Sequence, residues 1–367
     1  MKEAESDSFG ACLKRYREAR GLSQEELAER AGVHPNTISA IERGEHLPRK
    51  STVELLIKAL DLSEQEAEYL RKLWFRDLLR RRRRTTSPVF WFNVPLPAPG
   101  QLYGRSREQR VLLRRAAMKG GCTSIVGPRR IGKTWLLSYL SQMVKEERGS
   151  RFRIGFLDAA LPGCETAEEF TACAIRELHG SPDSFEARRG LKSLESLVRT
   201  ITSKGQTPIL CIDGFGRFGN RAAFDLSFFT ELRAITQLGL GLATASRHTL
   251  FEIIGDYGDT SGLFNVFRQC KLGVFTLQEA ETFIDAKGAE AGFSLEEQDV
   301  LRRYGRCGDG FFPLRLQLAG ELLLEDKQLA ASEDPDAYRP DDPHYWQEFE
   351  QDFQASYREV MHGEAPC

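Results

Sequence analysis

The chain has 367 residues, too many for one small hydrophobic core and enough for two or three domains. Its 41% apolar and 28% charged content excludes a fibre or a disordered chain, and a net charge of -2 excludes a uniformly basic or acidic surface. Charge is nonetheless segregated: Arg80 to Arg84 are consecutive arginines, whereas the segment from Glu333 to Cys367 is rich in acids. Cys12, Cys122, Cys164, Cys173, Cys211, Cys270, Cys307 and Cys367 form no CxxC and no Cys/His cluster, so reduced, buried thiols are expected rather than a zinc site or a disulfide framework. No apolar run approaches the roughly 18 residues of a membrane span, and the first residues carry no apolar leader. A cytoplasmic protein without a membrane partner is expected.

From Phe9 to Trp74 the apolar residues recur at helical spacing, broken at Gly21, Gly32, Gly44 to Pro48 and Asp61 to Ser63, which predicts five short helices. Ser23 with Glu26, and Ser63 with Glu66, form capping boxes that set two helix starts. The helix ending at Ala31 is followed by Gly32, Val33 and His34, and a second helix opens at Pro35, a residue preorganised for a first turn. Gly32 suits the left-handed turn conformation, and Leu27, Ala28, Val33, Ile38 and Ile41 supply a shared core.

These residues, GLSQEELAERAGVHPNTISAIERGEHLP, resemble the Xre/Cro-type repressor family, and the resemblance runs from Phe9 to about Leu60. It implies double-stranded DNA as partner. Gln24 would touch the DNA backbone, Pro35, Asn36, Thr37 and Ala40 would face the major groove, and Arg43 would belong to the same surface. Asn36 is the candidate base reader, since an amide can pair with two atoms of an adenine edge. Pro35 and Ala40 donate no such bonds. A helical bundle that binds another protein stays open as the alternative. The arginine run suits either sequence-blind phosphate contact or a solvated linker.

Pro88, Pro95, Pro97 and Pro99 exclude regular helix between Thr85 and Gly100, and Phe90, Trp91 and Phe92 are expected to pack against the protein. Such a docked segment could transmit a change between domains or serve as a plain spacer.

A short apolar strand, Cys122 to Val126, runs into GPRRIGKT and then a helical segment, the GxxxxGK[ST] motif in a strand-loop-helix setting. Gly127, Pro128, Arg129, Arg130, Ile131, Gly132, Lys133, Thr134 and Trp135 are therefore candidate nucleotide-binding residues. The spacing lets successive backbone N–H groups converge on phosphates at a helix N-terminus. Lys133 would neutralise the β and γ phosphates of ATP or ADP, and Thr134 would hold Mg²⁺. The strand within TPILCIDGFG ends in Asp213, a second candidate for the Mg²⁺ shell. GLGLATASR ends in Ser246 and Arg247, whose guanidinium could sense the γ phosphate or simply cap an exposed strand end.

From Tyr103 to about Lys327 the sequence resembles the STAND and archaeal-type, AAA-like ATPase group of P-loop proteins. LYGRSREQ, with Gly104 and Arg105, resembles the opening motif that borders their adenine site. FFTELRAITQLGLGLATASR resembles the segment that ends in their sensor arginine, here Arg247. GDGFFPLRLQLAGELL resembles their lid helix, with Pro313 near the nucleotide base. The resemblance implies a five-stranded parallel sheet, a helical lid and nucleotide-controlled switching. Lys133, Asp213 and Arg247 would act in phosphoryl chemistry. Two departures stand out. The acidic residue that follows the strand-end Asp in that group, and polarises the attacking water, is replaced by Gly214. The lid is followed by a short acidic stretch rather than a winged helix and a long sensor array, as expected either of a minimal member or of a chain whose sensing or effector part is a separate protein.

The expected organisation is multidomain: an all-α helix-turn-helix bundle over 1–78, a basic, proline-rich linker over 79–102, an α/β P-loop NTPase core over 103–275, a helical lid over 276–332 and an acidic tail over 333–367. Three functions fit. The first is an ATP-binding, nucleotide-switched, homo-oligomeric regulator of transcription that binds DNA and hydrolyses slowly. The second is a DNA- or partner-stimulated ATPase of a replication, transposition or phage-defence complex. The third is a scaffold whose nucleotide site only stabilises the fold.

Overall fold

Capping chemistry sets the first helix boundaries. In the computed structural model, which describes residues 8–45, 47–48, 50–82, 88–92, 94–148, 151–179, 190–219, 221–255, 263–332 and 335–361, Ser23 and Glu26 close the expected box at the start of α2. Helix α1 spans Phe9–Ala19, α2 Gln24–Ala31, α3 Pro35–Glu42, α4 Lys50–Ala59 and α5 Glu64–Arg82. Gly32 adopts φ 67°, and Pro35 opens α3, as the sequence predicts. Leu27, Ala28, Ile38 and Ile41 are fully buried, and Val33 packs on them half-exposed. One boundary differs. Helix α5 continues through Arg80, Arg81 and Arg82, because arginine is a good helix former and nothing there breaks the turn. Arg83 and Arg84 lie outside the described residues.

An ion pair ties three of these helices together. Arg17 on α1 donates from Nε to Glu42 Oε1 at 2.5 Å and from Nη2 to Glu42 Oε2 at 2.9 Å, and Nη1 reaches the Leu22 carbonyl at 2.6 Å. Gln24, the first residue of α2, donates from Nε2 to Glu42 Oε2 at 2.7 Å. The Arg17 and Glu42 side chains are only 9% and 3% exposed, so the charges depend on one another rather than on water. The bond to Glu42, chiefly, raises the affinity of Arg17 for its proton.

The chain forms two compact units. One contains residues 1–91, 287–304 and 315–367, the other 92–286 and 305–314. The stretch expected as a lid, 276–332, is therefore divided between them. In the helical unit, α13 (Leu295–Gly305), α14 (Pro313–Ser332) and α15 (Pro343–Met361) accompany the first five helices, and α15 lies against α4. The stretch expected as an acidic tail thus contains a 19-residue helix. Tyr345, Phe349, Phe353, Tyr357 and Met361 recur every four residues and are buried, while the acids Glu348, Glu350 and Glu359 lie between them outside the buried set. The Tyr345 hydroxyl donates to Asp326 Oδ2 at 2.7 Å, which satisfies both buried groups. Phe90 is buried in this unit too: it stacks on Phe293 at 5.8 Å and lies so close to Gly320 on α14 that any Cβ there would collide with the ring. The Trp91 N–H donates to Gln317 Oε1 at 2.8 Å. The aromatic part of the linker is docked, as its composition requires.

The α/β unit holds a five-stranded parallel sheet in the order β2-β3-β4-β1-β5, with β1 Cys122–Val126, β2 Phe152–Asp158, β3 Thr207–Asp213, β4 Gly241–Ser246 and β5 Phe267–Lys271. β1 and β4 are buried along their whole length, as central strands covered by helices must be. Helix α7 (Lys133–Arg148) packs on β2, β3 and β4, α6 (Ser106–Ala116) on β1 and β4, and α8 (Ala167–His179) with α9 (Leu191–Ser203) on β2 and β3. α10 (Leu226–Leu238) packs on α9. Phe170, Phe215, Phe218, Phe224, Phe228 and Phe229 make a cluster of mostly edge-on rings in this core. Cys12, Cys122, Cys164, Cys173, Cys211 and Cys270 are free and buried, as expected; Cys307, by contrast, is disulfide-bonded. Among the described residues no helix is long and apolar enough to cross a membrane.

Glu42→Ala should leave the Arg17 guanidinium buried and unpaired, at a cost of roughly 3–5 kcal/mol to the helical unit. Urea unfolding of the full chain, followed by far-ultraviolet circular dichroism, would measure it; a loss below about 1 kcal/mol would contradict the role given to the pair.

Candidate functional site

Strand β1 ends at Val126, and the next residues leave the sheet to form the loop Gly127 to Gly132. Val126 is paired with Ser246 on one side and Lys271 on the other, so the loop rises between the ends of β4 and β5. The Gly127 N–H still bonds the Ser246 carbonyl at 3.3 Å, which fixes where the loop leaves. Arg130 and Gly132 take φ 61° and 100°, the reversals that turn the loop back into α7. Arg129 and Pro128 line the loop, and Ile131 anchors it with a side chain only 1% exposed. Burial and the neighbouring Arg129 charge pull the Arg130 guanidinium below its ordinary pKa.

Lys133 and Thr134 open α7. The Lys133 ammonium donates to the carbonyls of Gly127 at 2.9 Å and Pro128 at 2.6 Å, so it arches over the loop it follows. Thr134 Oγ1 donates to Asp213 Oδ2 at 2.6 Å. The two residues are 79 positions apart, and it is the order β3-β4-β1 with α7 laid across β3 and β4 that brings them together. A hydroxyl and a carboxylate side by side are hard oxygen donors, the kind Mg²⁺ takes. The residues present therefore fit the ion, which Thr134 and Asp213 would hold. Trp135 donates from Nε1 to the Val94 carbonyl at 2.9 Å, and Gln142, two turns on, donates from Nε2 to the Leu96 carbonyl at 2.8 Å. The end of the proline-rich segment is thus strapped to the P-loop helix.

Arg247 directly follows the β4 residue paired with Val126, which places it at the mouth of the loop, exposed. Arg105 lies elsewhere in the logic of the site. It is 6% exposed, its Nη2 bonds the carbonyls of Gly273 at 2.5 Å and Ile131 at 3.4 Å, and its guanidinium lies 4.8 Å from the Phe275 ring centre. Desolvation, chiefly, lowers its pKa. Gly104 and Arg105 both have positive φ, and the Arg105 N–H donates to Glu279 Oε1 at 2.7 Å. Burial works against the Glu279 carboxylate, but the Thr276 and Arg105 N–H groups and the Thr276 hydroxyl outweigh it and hold the carboxyl below its ordinary range. Arg105 is thus an internal brace between the opening motif and the P-loop. Pro313 starts α14 just after the β6–β7 hairpin (Arg306–Cys307 and Gly310–Phe311), whose Phe311 exchanges backbone bonds with Phe275 at 2.7 and 3.0 Å.

Two contributors escaped the sequence reading. Glu279 is announced by the capping box of Thr276 and Glu279 at the start of α12 (Leu277–Ala291), a signal that was present. Asp158 ends β2 in register with Asp213, and only the strand-terminal position of FRIGFLD hinted at it.

On the helix-turn-helix, Pro35 and Asn36 are exposed and Thr37 and Ala40 half-exposed along α3. The Asn36 N–H donates to His34 Nδ1 at 3.3 Å, which caps the helix. Its side-chain amide makes no hydrogen bond among the described residues. Gln24 is held by Glu42. Arg43 bonds Glu45 through Nε at 2.8 Å and Nη2 at 2.7 Å and also reaches the Ser39 hydroxyl, an exposed pairing that water and salt weaken. The helix-turn-helix residues and the P-loop residues belong to different units.

Residues 8–70 match a family described as a helix-turn-helix domain. Nothing among curated proteins matches the sequence. Among solved structures, the ORC2 protein of Aeropyrum pernix, in ADPNP-ADP complexes, is similar with a TM-score of 0.50 at 15% identity over 66% of this chain and 66% of that one. This chain therefore spans just under two thirds of that relative's length. The Walker-type ATPase of Pyrococcus abyssi is similar with a TM-score of 0.49 at 14% identity, over 74% of this chain and 79% of that one. Domain III of the Thermotoga maritima replication initiation protein DnaA has a TM-score of 0.45 at 17% identity, over 66% of this chain and 96% of that one. The chain joins a helix-turn-helix region to an α/β module with the fold of a P-loop ATPase.

Proposed function

We propose that this protein is an ATP-binding, nucleotide-switched DNA-binding regulator of the STAND type, with an Xre-type reading helix and slow hydrolysis. The observation that carries the reading is the Thr134–Asp213 bond, which joins the end of the P-loop to the strand-end carboxylate. In this reading the backbone N–H groups from Arg129 to Thr134 receive the phosphates at the N-terminus of α7. Lys133 leaves the loop carbonyls for the β and γ phosphates, an exchange that gives its charge a stronger partner. Thr134 and Asp213 hold Mg²⁺, which shields phosphate charge when bound. Arg247 meets the γ phosphate end, and Gly104 and Pro313 border the base.

DNA binding rests on α3. Asn36, exposed and with its amide uncommitted, reads a base edge, while Pro35, Thr37 and Ala40 shape the contact. Gln24, steadied by Glu42, and Arg43, which can trade Glu45 for a phosphate, hold the DNA backbone. The proline-rich segment supports coupling between the two activities: Trp135, next to Thr134, is bonded to Val94, and a few residues earlier Phe90 is buried in the helical unit. Nucleotide can shift DNA binding only if it favours one arrangement of the chain, and self-association is the simplest arrangement to shift.

A DNA- or partner-stimulated ATPase is the second reading. The strand-end Asp158 beside Asp213 favours it, since an extra carboxylate at that edge suits turnover better than a passive switch.

Lys133→Ala should remove most of the affinity for ATP, by tenfold or more, because a buried triphosphate loses its principal cation. Calorimetry on both proteins checks this, and equal affinities would sink the P-loop assignment. Asn36→Ala removes a base contact but no charge. Discrimination between a selected site and scrambled DNA should fall by about 1–3 kcal/mol with an unchanged salt slope. Binding titrations across several salt concentrations would show it, and unaltered discrimination would turn the bundle into a protein-binding element.

A further inference from the structure

Position 214 is where the P-loop ATPase reading, on which this inference rests, expects a water-polarising acid. The chain has Gly214 there with φ 69°, a left-handed backbone that L side chains adopt only with strain. The departure is therefore in the backbone as well as in the residue. The space beside it is not empty of charge. An ideal Cβ at Gly214 would lie in van der Waals contact with Asp158 Oδ1, 3.8 Å away, so the Asp158 carboxylate borders the space beside position 214.

Asp158 reaches this position through the sheet. β2 and β3 are parallel and paired residue for residue from Phe152 and Thr207 to Asp158 and Asp213. Paired residues of parallel neighbours share a face, with strands about 4.8 Å apart, so the two carboxylates leave the same end of the sheet side by side. Asp213 is committed to Thr134 and, through Oδ1, to the Gly214 N–H at 2.9 Å. Asp158 Oδ1 accepts the Ala160 N–H at 2.8 Å, which orients the carboxylate, and Oδ2 accepts no hydrogen bond from a described residue. The Ala159 N–H donates to the Asp213 carbonyl at 3.0 Å, so the strand ends stay joined just past the last paired residues.

We propose that Asp158, on the neighbouring strand, is the catalytic carboxylate of this ATPase in place of residue 214. Asp158 Oδ2 accepts a proton from the attacking water. The water oxygen forms a bond to the γ phosphorus as the β–γ bridging P–O bond breaks, and the electron pair leaves on the nucleoside diphosphate. The proton passes from Asp158 to solvent, giving ADP, inorganic phosphate and H⁺. A short side chain reaching in from the adjacent strand makes for slow turnover, below the roughly 1–100 s⁻¹ of efficient phosphoryl-transfer enzymes.

The test is Asp158→Asn in the full chain, because Asn keeps an acceptor for the Ala160 N–H but cannot take the proton. Mg²⁺-ATP affinity is measured by equilibrium dialysis and hydrolysis under single-turnover conditions, with and without DNA. The expected result is affinity within about twofold of wild type and hydrolysis slowed about 100-fold or more. Unchanged hydrolysis overturns the assignment. So does a loss of Mg²⁺-ATP affinity with the bound rate intact, which would make Asp158 a metal-shell residue, and so does a wild-type protein that binds ATP without hydrolysing it. A wild-type protein that binds no ATP refutes the underlying nucleotide site, and the assignment with it.

Discussion

The hydrogen bond from Thr134 to Asp213 is the contact on which the functional reading depends. It demands that the P-loop strand and the Asp213 strand end at the same edge, separated by β4, and that α7 start directly above Asp213. Much of the surrounding structure serves that placement. β1 is buried along its whole length and paired on both sides, so the loop cannot slide. Arg105 braces the loop from below through the Ile131 and Gly273 carbonyls, and a buried cation placed there tolerates little movement of either. Gln142 and Trp135 strap the proline-rich segment along α7.

The helical unit is organised around a second fixed charge pair, Arg17 with Glu42. Glu42 is the last residue of α3, so the same carboxylate that closes the bundle also holds the far end of that helix and steadies Gln24. Asn36 stays exposed, its amide uncommitted among the described residues, while Arg17 and Glu42 hold the bundle's shape from buried positions. The docking of α15 on α4 ties the end of the chain to the bundle at its start, in a segment that composition alone presents as acidic and featureless.

Local chemistry made much of this legible. The capping boxes at Ser23 and Ser63, Gly32, Pro35, strand β1 with its loop, and the Asp213 strand end all follow from short-range rules, and each lies where those rules put it. What was not legible depends on distance in sequence. The burial of Arg105 needs carbonyls from residues 131 and 273, and the role of Asp158 needs the register of two strands 55 residues apart. Helix α15 was obscured by its acids, since charge count draws attention to the exposed face and away from the four-residue recurrence of Tyr345, Phe349, Phe353 and Tyr357. The arginines at 80–82 were read as a linker because a charge run suggests solvation, yet arginine extends a helix readily.

Nucleotide and DNA sites on one chain matter to each other only through a coupling free energy, commonly 1–3 kcal/mol where it exists, or about 5- to 150-fold in affinity. The decisive measurement is the affinity of the full-length protein for a selected DNA site in the nucleotide-free, ADP and non-hydrolysable ATP states, at one salt concentration. A nucleotide switch predicts at least about a fivefold difference between the ADP and ATP-analogue states. Affinities that agree within about twofold across all three states, with both nucleotides bound, would contradict it.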